Sequence, residues 1–244
     1  IILFCDILVI PFALGQQVSF LKNHGPILDP ISSKNDLHYK NYTKSINKIS
    51  NVFETIQILN QKKGKKNLIG FCGGPFTILN YMIEGGTSKE HKKVLNFVQH
   101  EREKARDLIT IIQEISIEYL KRQIKNGADY IQVFESWAGL LDDKLYDEFI
   151  IEPNKEISKK IREFSSETRI IHFPRRSAKK YIKFIKEVEC DVISIDETCP
   201  DTIIKEAEKR DIAIQGNMNP TDLLGDENEL SKKTIQILEK FRHN

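Results

Sequence analysis

A chain of 244 residues, 40% hydrophobic and 30% charged, has the make-up of an ordinary globular protein and is long enough for one large domain. Its 37 basic and 35 acidic residues leave a net charge of +2, so no strong field selects nucleic acid as a partner. Cys5, Cys72, Cys190 and Cys199 lie far apart without CxxC spacing, and read as reduced, mostly buried thiols of a cytoplasmic protein rather than a disulfide frame.

The opening run IILFCDILVIPFALG predicts a buried strand at Ile1–Phe4. Asp6 and Pro11 interrupt the run, which is too short and punctuated for a membrane span and lacks the basic flank of a signal peptide. A carboxylate directly after such a strand is costly to bury unless its oxygens are hydrogen-bonded or face a cation. The pattern alone leaves Asp6 open between a loop-ordering acceptor and a functional group. An amphipathic helix is predicted over Lys44–Gln61, then a strand at Leu68–Cys72 leading into FCGGPFTILNYMIEGG. There Gly73-Gly74 allow close backbone approach, Pro75 suits a first helical turn, and Gly85-Gly86 end the helix Phe76–Glu84. Its N-terminus, at the end of a strand, favours a bound carboxylate or phosphate. Thr77 and Tyr81 share one helix face, so the Tyr81 hydroxyl can either reach a site or pack in the core.

A long helix follows over Glu90–Asn126, then a strand at Tyr130–Phe134 that runs into FESWAG. Glu135-Ser136 there serve a site or cap the helix that begins nearby; GxSxG is absent, so Ser136 is not read as a nucleophile. Helices at Lys144–Phe164, Ala178–Val188 and Asp201–Lys209 alternate with strands at Arg169–Phe173, Val192–Ile195 and Ile212–Gln215, and Glu227–Arg242 adds a last helix. His172, Arg175 and Arg176 put cations at the end of the fifth strand, while Asp196 and Asn217 orient loops or touch ligand.

Strand–helix alternation with no hairpins implies a parallel sheet covered by helices. A dinucleotide-binding sheet would carry GxGxxG after its first strand, and FCGGPFT does not. Polar residues after nearly every strand suit a (β/α)8 barrel, whose site collects from all its βα loops. Six of eight strands are visible. Ile1 falls inside a strand and ILEKFRHN runs off a helix, so residues 1–244 read as one domain, a barrel portion cut at both ends.

FCDILVIPFALG, LIGFCGGPFTILNYMIEGG, FESWAG and QGNMNP, in this order, together resemble uroporphyrinogen decarboxylase. The resemblance implies a homodimeric (β/α)8 barrel without metal or prosthetic group, acting on a tetrapyrrole, with no membrane or nucleic-acid partner. It implies that Asp6 binds the pyrrole N–H groups, stabilising the cation formed when a pyrrole carbon is protonated, and that Tyr81 and Ser136 contact substrate. Phe76 stands where the family often has Trp, Asn219 where it often has Asp, and HFPRRS replaces a Lys/Gly-rich loop. The family's early Arg pair and late Gly-His strand have no counterpart here, and neither His243 nor any arginine is promoted to replace them. Two other readings stand beside this one. A corrinoid or thiol methyltransferase of the same superfamily would hold zinc through His-x-Cys and a distant Cys, a set that His172-Phe173-Pro174 does not begin. A non-catalytic remnant is the other, because missing strands leave two sheet edges exposed. On either the decarboxylase or the remnant reading, residues 1–244 expressed alone are expected to have no decarboxylase activity, even where the full-length parent has it.

Overall fold

The computed structural model describes residues 1–3, 5–38 except 22–24, and 41–242; Phe4, the last residue of the first predicted strand, and His243 lie outside them. The elements run α1 (Val9–Ala13), β1 (Val18–Leu21), β2 (Gly25–Leu28), α2 (Tyr42–Asn47), α3 (Ser50–Lys62), β3 (Ile69–Gly73), α4 (Pro75–Glu84), α5 (Lys92–His100) and α6 (Arg102–Lys125). They continue with β4 (Tyr130–Glu135), α7 (Asp143–Tyr146), α8 (Glu152–Phe164), β5 (Arg169–Pro174), α9 (Lys180–Glu187), β6 (Val192–Ser194), α10 (Thr202–Glu208), β7 (Ala213–Gln215) and α11 (Glu227–Lys240).

The central sheet is parallel throughout, in the order β3-β4-β5-β6-β7. A doubly wound sheet would step back past its first strand; here each strand lies beside its predecessor, as in an arc of barrel wall. Among the described residues the arc is incomplete, as expected. Its two faces follow the strand period of two. Gly70 and His172 look out at Gln123 of α6 and Ser158 of α8. Phe71, Phe134 and Phe173 alternate to the inner face, where their rings meet edge to face with centroids 5.6 and 6.3 Å apart. Deeper on that face, Gln132 donates to Ser194 Oγ at 3.2 Å and to Gln215 Oε1 at 3.4 Å, a polar layer inside the arc.

Of the predicted strand Ile1–Phe4, the described residues form one parallel bridge, between Ile2 and Ile69. Leu3 N–H donates to Ile69 O at 3.0 Å and Ile69 N–H to Ile1 O at 2.7 Å. The next groups on that edge belong to Phe71, and the Gln123 amide takes both: Phe71 N–H donates to Gln123 Oε1 and Gln123 Nε2 to Phe71 O, each at 2.9 Å. The edge at Phe71 is thereby satisfied from α6.

Two further expectations are corrected. A hairpin exists after all: β1 and β2 pair antiparallel, and Leu28 N–H donates to Gly85 O at 3.0 Å, laying the hairpin across the end of α4. Its short strands, with Phe20 exposed and Pro26 within the second, lack the apolar alternation that marks a half-buried strand. The predicted helices Lys44–Gln61 and Glu90–Asn126 are each two helices, broken where Ile49 and Glu101 leave helical φ/ψ. The core fills the space between sheet and helices. Leu108, Ile112 and Ile115 of α6 are fully buried, and Phe53 of α3 packs on Tyr119 with centroids 5.8 Å apart. No helix among the described residues is long and apolar enough to cross a membrane.

Candidate active site

At the mouth of the arc the chain leaves the sheet through Cys5 and Asp6. Cys5 is held by α6, its Sγ accepting from the Tyr119 hydroxyl at 4.0 Å, and it borders the same hollow as Asp6. Asp6 turns the chain into α1: its Oδ1 accepts Leu8 N–H at 2.8 Å and its carbonyl accepts Val9 N–H at 3.3 Å. The same residue lines a cavity of about 370 Å³ with Ile2, Phe71, Phe134 and Ser136. Both alternatives left by the sequence therefore hold at once. One oxygen orders the loop, and the half-buried carboxylate borders a largely apolar hollow without an ion pair among the described residues.

Ser136 reaches that cavity directly. It caps nothing, because the short helical turn Ala138–Leu140 begins after Trp137 with no side-chain cap. Tyr81 is not among the lining residues; it sits half-buried on α4. Burial pushes its phenol pKa up, and the charge of Asp6 adds to the shift. The Trp137 indole N–H is buried without a hydrogen-bond partner, and its ring lies against His91 with centroids 4.2 Å apart. His91 in turn is fixed by Asn80 Oδ1, 2.8 Å from its Nδ1. Sequence reasoning passed over Trp137 and His91, because their contact depends on how the loop after α4 folds back.

The N-terminus of α4 is where the sequence reading needs its main correction. It is not left open for a ligand anion. Glu135, at the tip of β4, puts its carboxylate there: Oε1 accepts Phe76 N–H at 3.2 Å, and Oε2 accepts Thr77 N–H at 3.0 Å and the Thr77 hydroxyl at 2.8 Å. Asn154 Nδ2 of α8 adds a fourth donor to Oε1 at 3.3 Å. Glu135 thus caps the preceding helix across the sheet rather than the one that follows it in sequence. It is completely enclosed, and burial pushes its pKa up to about 7 against the pull of all four donors. The glycine pair now has a cause, since a Cβ at Gly74 would collide with the Glu135 carboxyl. Gly74→Ala is expected to cost about 1–3 kcal/mol of stability, the usual range for overpacking, read from the urea midpoint.

The cation cluster expected at the end of β5 does not form. His172 faces the helix layer, its Nε2 2.9 Å from Ser158 Oγ, and burial holds its pKa down at about 3, so the ring is neutral. Arg176 is exposed at φ 58, and Arg175 is half-buried; through its backbone Arg175 donates to Glu135 O and accepts from Gly139 N–H, each at 3.1 Å. Asp196 orients its loop, accepting from Thr198 N–H at 2.9 Å, the Thr198 hydroxyl at 2.6 Å and the Tyr181 hydroxyl at 3.2 Å. Asn217 borders a separate hollow beside α11. Among the described residues no group of three or more His, Cys, Asp or Glu side chains is arranged to hold a metal ion.

A family model for uroporphyrinogen decarboxylase matches residues 1–244. This chain belongs to the uroporphyrinogen decarboxylase family. It is 38% identical to the uroporphyrinogen decarboxylases of Rickettsia africae and Rickettsia conorii, in both cases over 99% of this chain and 69% of the relative. Among solved structures, a methyltransferase from Methanosarcina mazei superposes with a TM-score of 0.76 at 16% identity, covering 98% of this chain and 71% of that one. That likeness is one of fold. The uroporphyrinogen decarboxylase family is one of carboxy-lyases in porphyrin and haem biosynthesis, and its barrel architecture agrees with the strand order seen here.

Proposed function

We propose that this protein removes the acetate carboxylates of uroporphyrinogen III, giving coproporphyrinogen III, with Asp6 as the group that stabilises the reacting ring. Loss of CO2 from a pyrrole acetate needs an electron sink. Protonation of the adjacent pyrrole carbon makes the ring cationic, and the electrons of the breaking C–C bond then flow into the ring. This leaves an exocyclic methylene, which takes up a proton to become the methyl group as the ring carbon releases its own. A fixed carboxylate beside the pyrrole nitrogens favours that cation as it develops. The observation that carries the reading is the Asp6 carboxylate on the border of an apolar hollow, already oriented by Leu8 N–H and without a neutralising ion pair among the described residues. Low-dielectric walls from Phe71 and Phe134 strengthen a charge–cation interaction there. Tyr81 and Ser136 are the proposed substrate contacts, on a single domain over 1–244 in a cytoplasmic homodimer.

Anaerobic incubation of uroporphyrinogen III with the protein as its gene encodes it, followed by oxidation and separation of the porphyrins, tests the reading. Coproporphyrin is the expected product. Unchanged uroporphyrin would reject it.

A further inference from the structure

Glu135 does more than the cap of one helix requires. A buried carboxylate is a costly way to close a helix end, which water or a neutral side chain can satisfy. What it adds is registration between elements. Four donors from α4 and α8 converge on a residue covalently joined to Ser136. The circuit closes through Thr77, whose hydroxyl donates to Glu135 and accepts Trp137 N–H at 3.4 Å, returning to the strand tip two residues on. Gly74 N–H, donating to Phe134 O at 2.9 Å, ties the same helix start to the same strand. Tyr81 lies one helical turn beyond Thr77, so the pose of the first turn of α4 sets where its phenol points.

We propose that Glu135 is a positioning residue of the decarboxylase site, holding Tyr81 on α4 and Ser136 at the tip of β4 in one frame around Asp6. The inference rests on the proposed function and adds to it a residue that never touches substrate. Above about pH 7, where the coupling cycle is run, the carboxylate is ionised and Glu135 accepts from all four donors. Glu135→Gln keeps the shape, but turns an amide N–H toward donors that need an acceptor. The first turn of α4 then shifts against β4, and both contacts lose their aim.

The test is a coupling cycle with uroporphyrinogen III as substrate. In the wild-type background Glu135→Gln is expected to raise KM about tenfold with a smaller effect on kcat, the mark of lost ground-state contacts. In a Tyr81→Phe, Ser136→Ala background, the same change is expected to alter KM less than about twofold, because the residues it positions are gone. A merely structural glutamate would give equal factors in both backgrounds, which would overturn the proposal. Thr77→Val, which removes a single donor, runs through the same cycle should Glu135→Gln fold poorly. Absence of turnover by the wild-type protein rejects the decarboxylase reading as well. Turnover with independent effects rejects the role of Glu135 alone.

Discussion

Asp6→Asn is expected to lower kcat by about a hundredfold, roughly 3 kcal/mol of transition-state stabilisation, while leaving the fold intact. The geometry makes this substitution unusually clean. Oδ1 of Asp6 accepts Leu8 N–H at 2.8 Å, a bond that the Asn carbonyl oxygen can keep. The turn into α1 survives, and the change falls on the other carboxylate oxygen, which has no partner among the described residues. Only the charge offered to the cavity is lost. Asp6→Ala serves as the contrast, because it removes the turn acceptor too and is expected to cost about 1 kcal/mol of stability besides. Steady-state rates of both variants, beside their urea midpoints, separate charge from loop order. Undiminished turnover by Asp6→Asn would take the cation-stabilising role away from this residue.

The parts of the fold legible in the sequence were those with a strong period. β4 and β5 lie within one residue of their predicted ends, because each is an apolar run between helices of clear amphipathic spacing. Barrel topology followed from where polar residues sat relative to those runs. What escaped were features decided by partners distant in sequence. The edge groups of Phe71, which a strand running on past Leu3 would meet, are taken by a glutamine amide from α6, more than a hundred residues on. The hairpin β1–β2 owes its place to the end of α4, not to its own pattern. The site divides in the same way. Asp6 and Ser136 could be picked out because each follows a strand directly, and both reach one cavity. Glu135 was visible as a neighbour of Ser136, but its use was not. Sequence order suggests that it caps the helix after it, whereas a parallel sheet sets the tip of β4 against the start of the helix before it. His172 looked like a cation because strand ends gather charge, yet strand parity turns it into the helix layer.

These two buried groups, Glu135 and His172, are expected to pull the pH dependence of stability in opposite directions. Glu135 titrates at about 7 in the folded protein against an ordinary 4.5. Between those values the unfolded chain has lost a proton that the folded protein keeps, so this group makes stability fall as pH rises. His172 titrates at about 3 against an ordinary 6.5, burial being the cause. Between those values the unfolded chain holds a proton that the folded protein excludes, so stability rises with pH. Each slope is about 1.4 kcal/mol per pH unit. From pH 4.5 to 6.5 the two therefore oppose each other and the wild type shows little net dependence on them. His91, lowered by burial against the pull of Glu84, adds to the rising side. Removing either group exposes the other. Glu135→Gln is expected to steepen the rise of the urea midpoint between pH 4.5 and 6.5. His172→Gln, which can still bond Ser158, is expected to turn that rise into a fall continuing to about pH 7. The window avoids Asp129 and Asp191, whose carboxyls are held below their usual range, and the buried tyrosines and cysteines, whose pKa values are raised. If Glu135→Gln left the slope of the wild type unchanged, the carboxylate would be ionised throughout. Its four donors would then outweigh its burial, with the helix end holding a true anion.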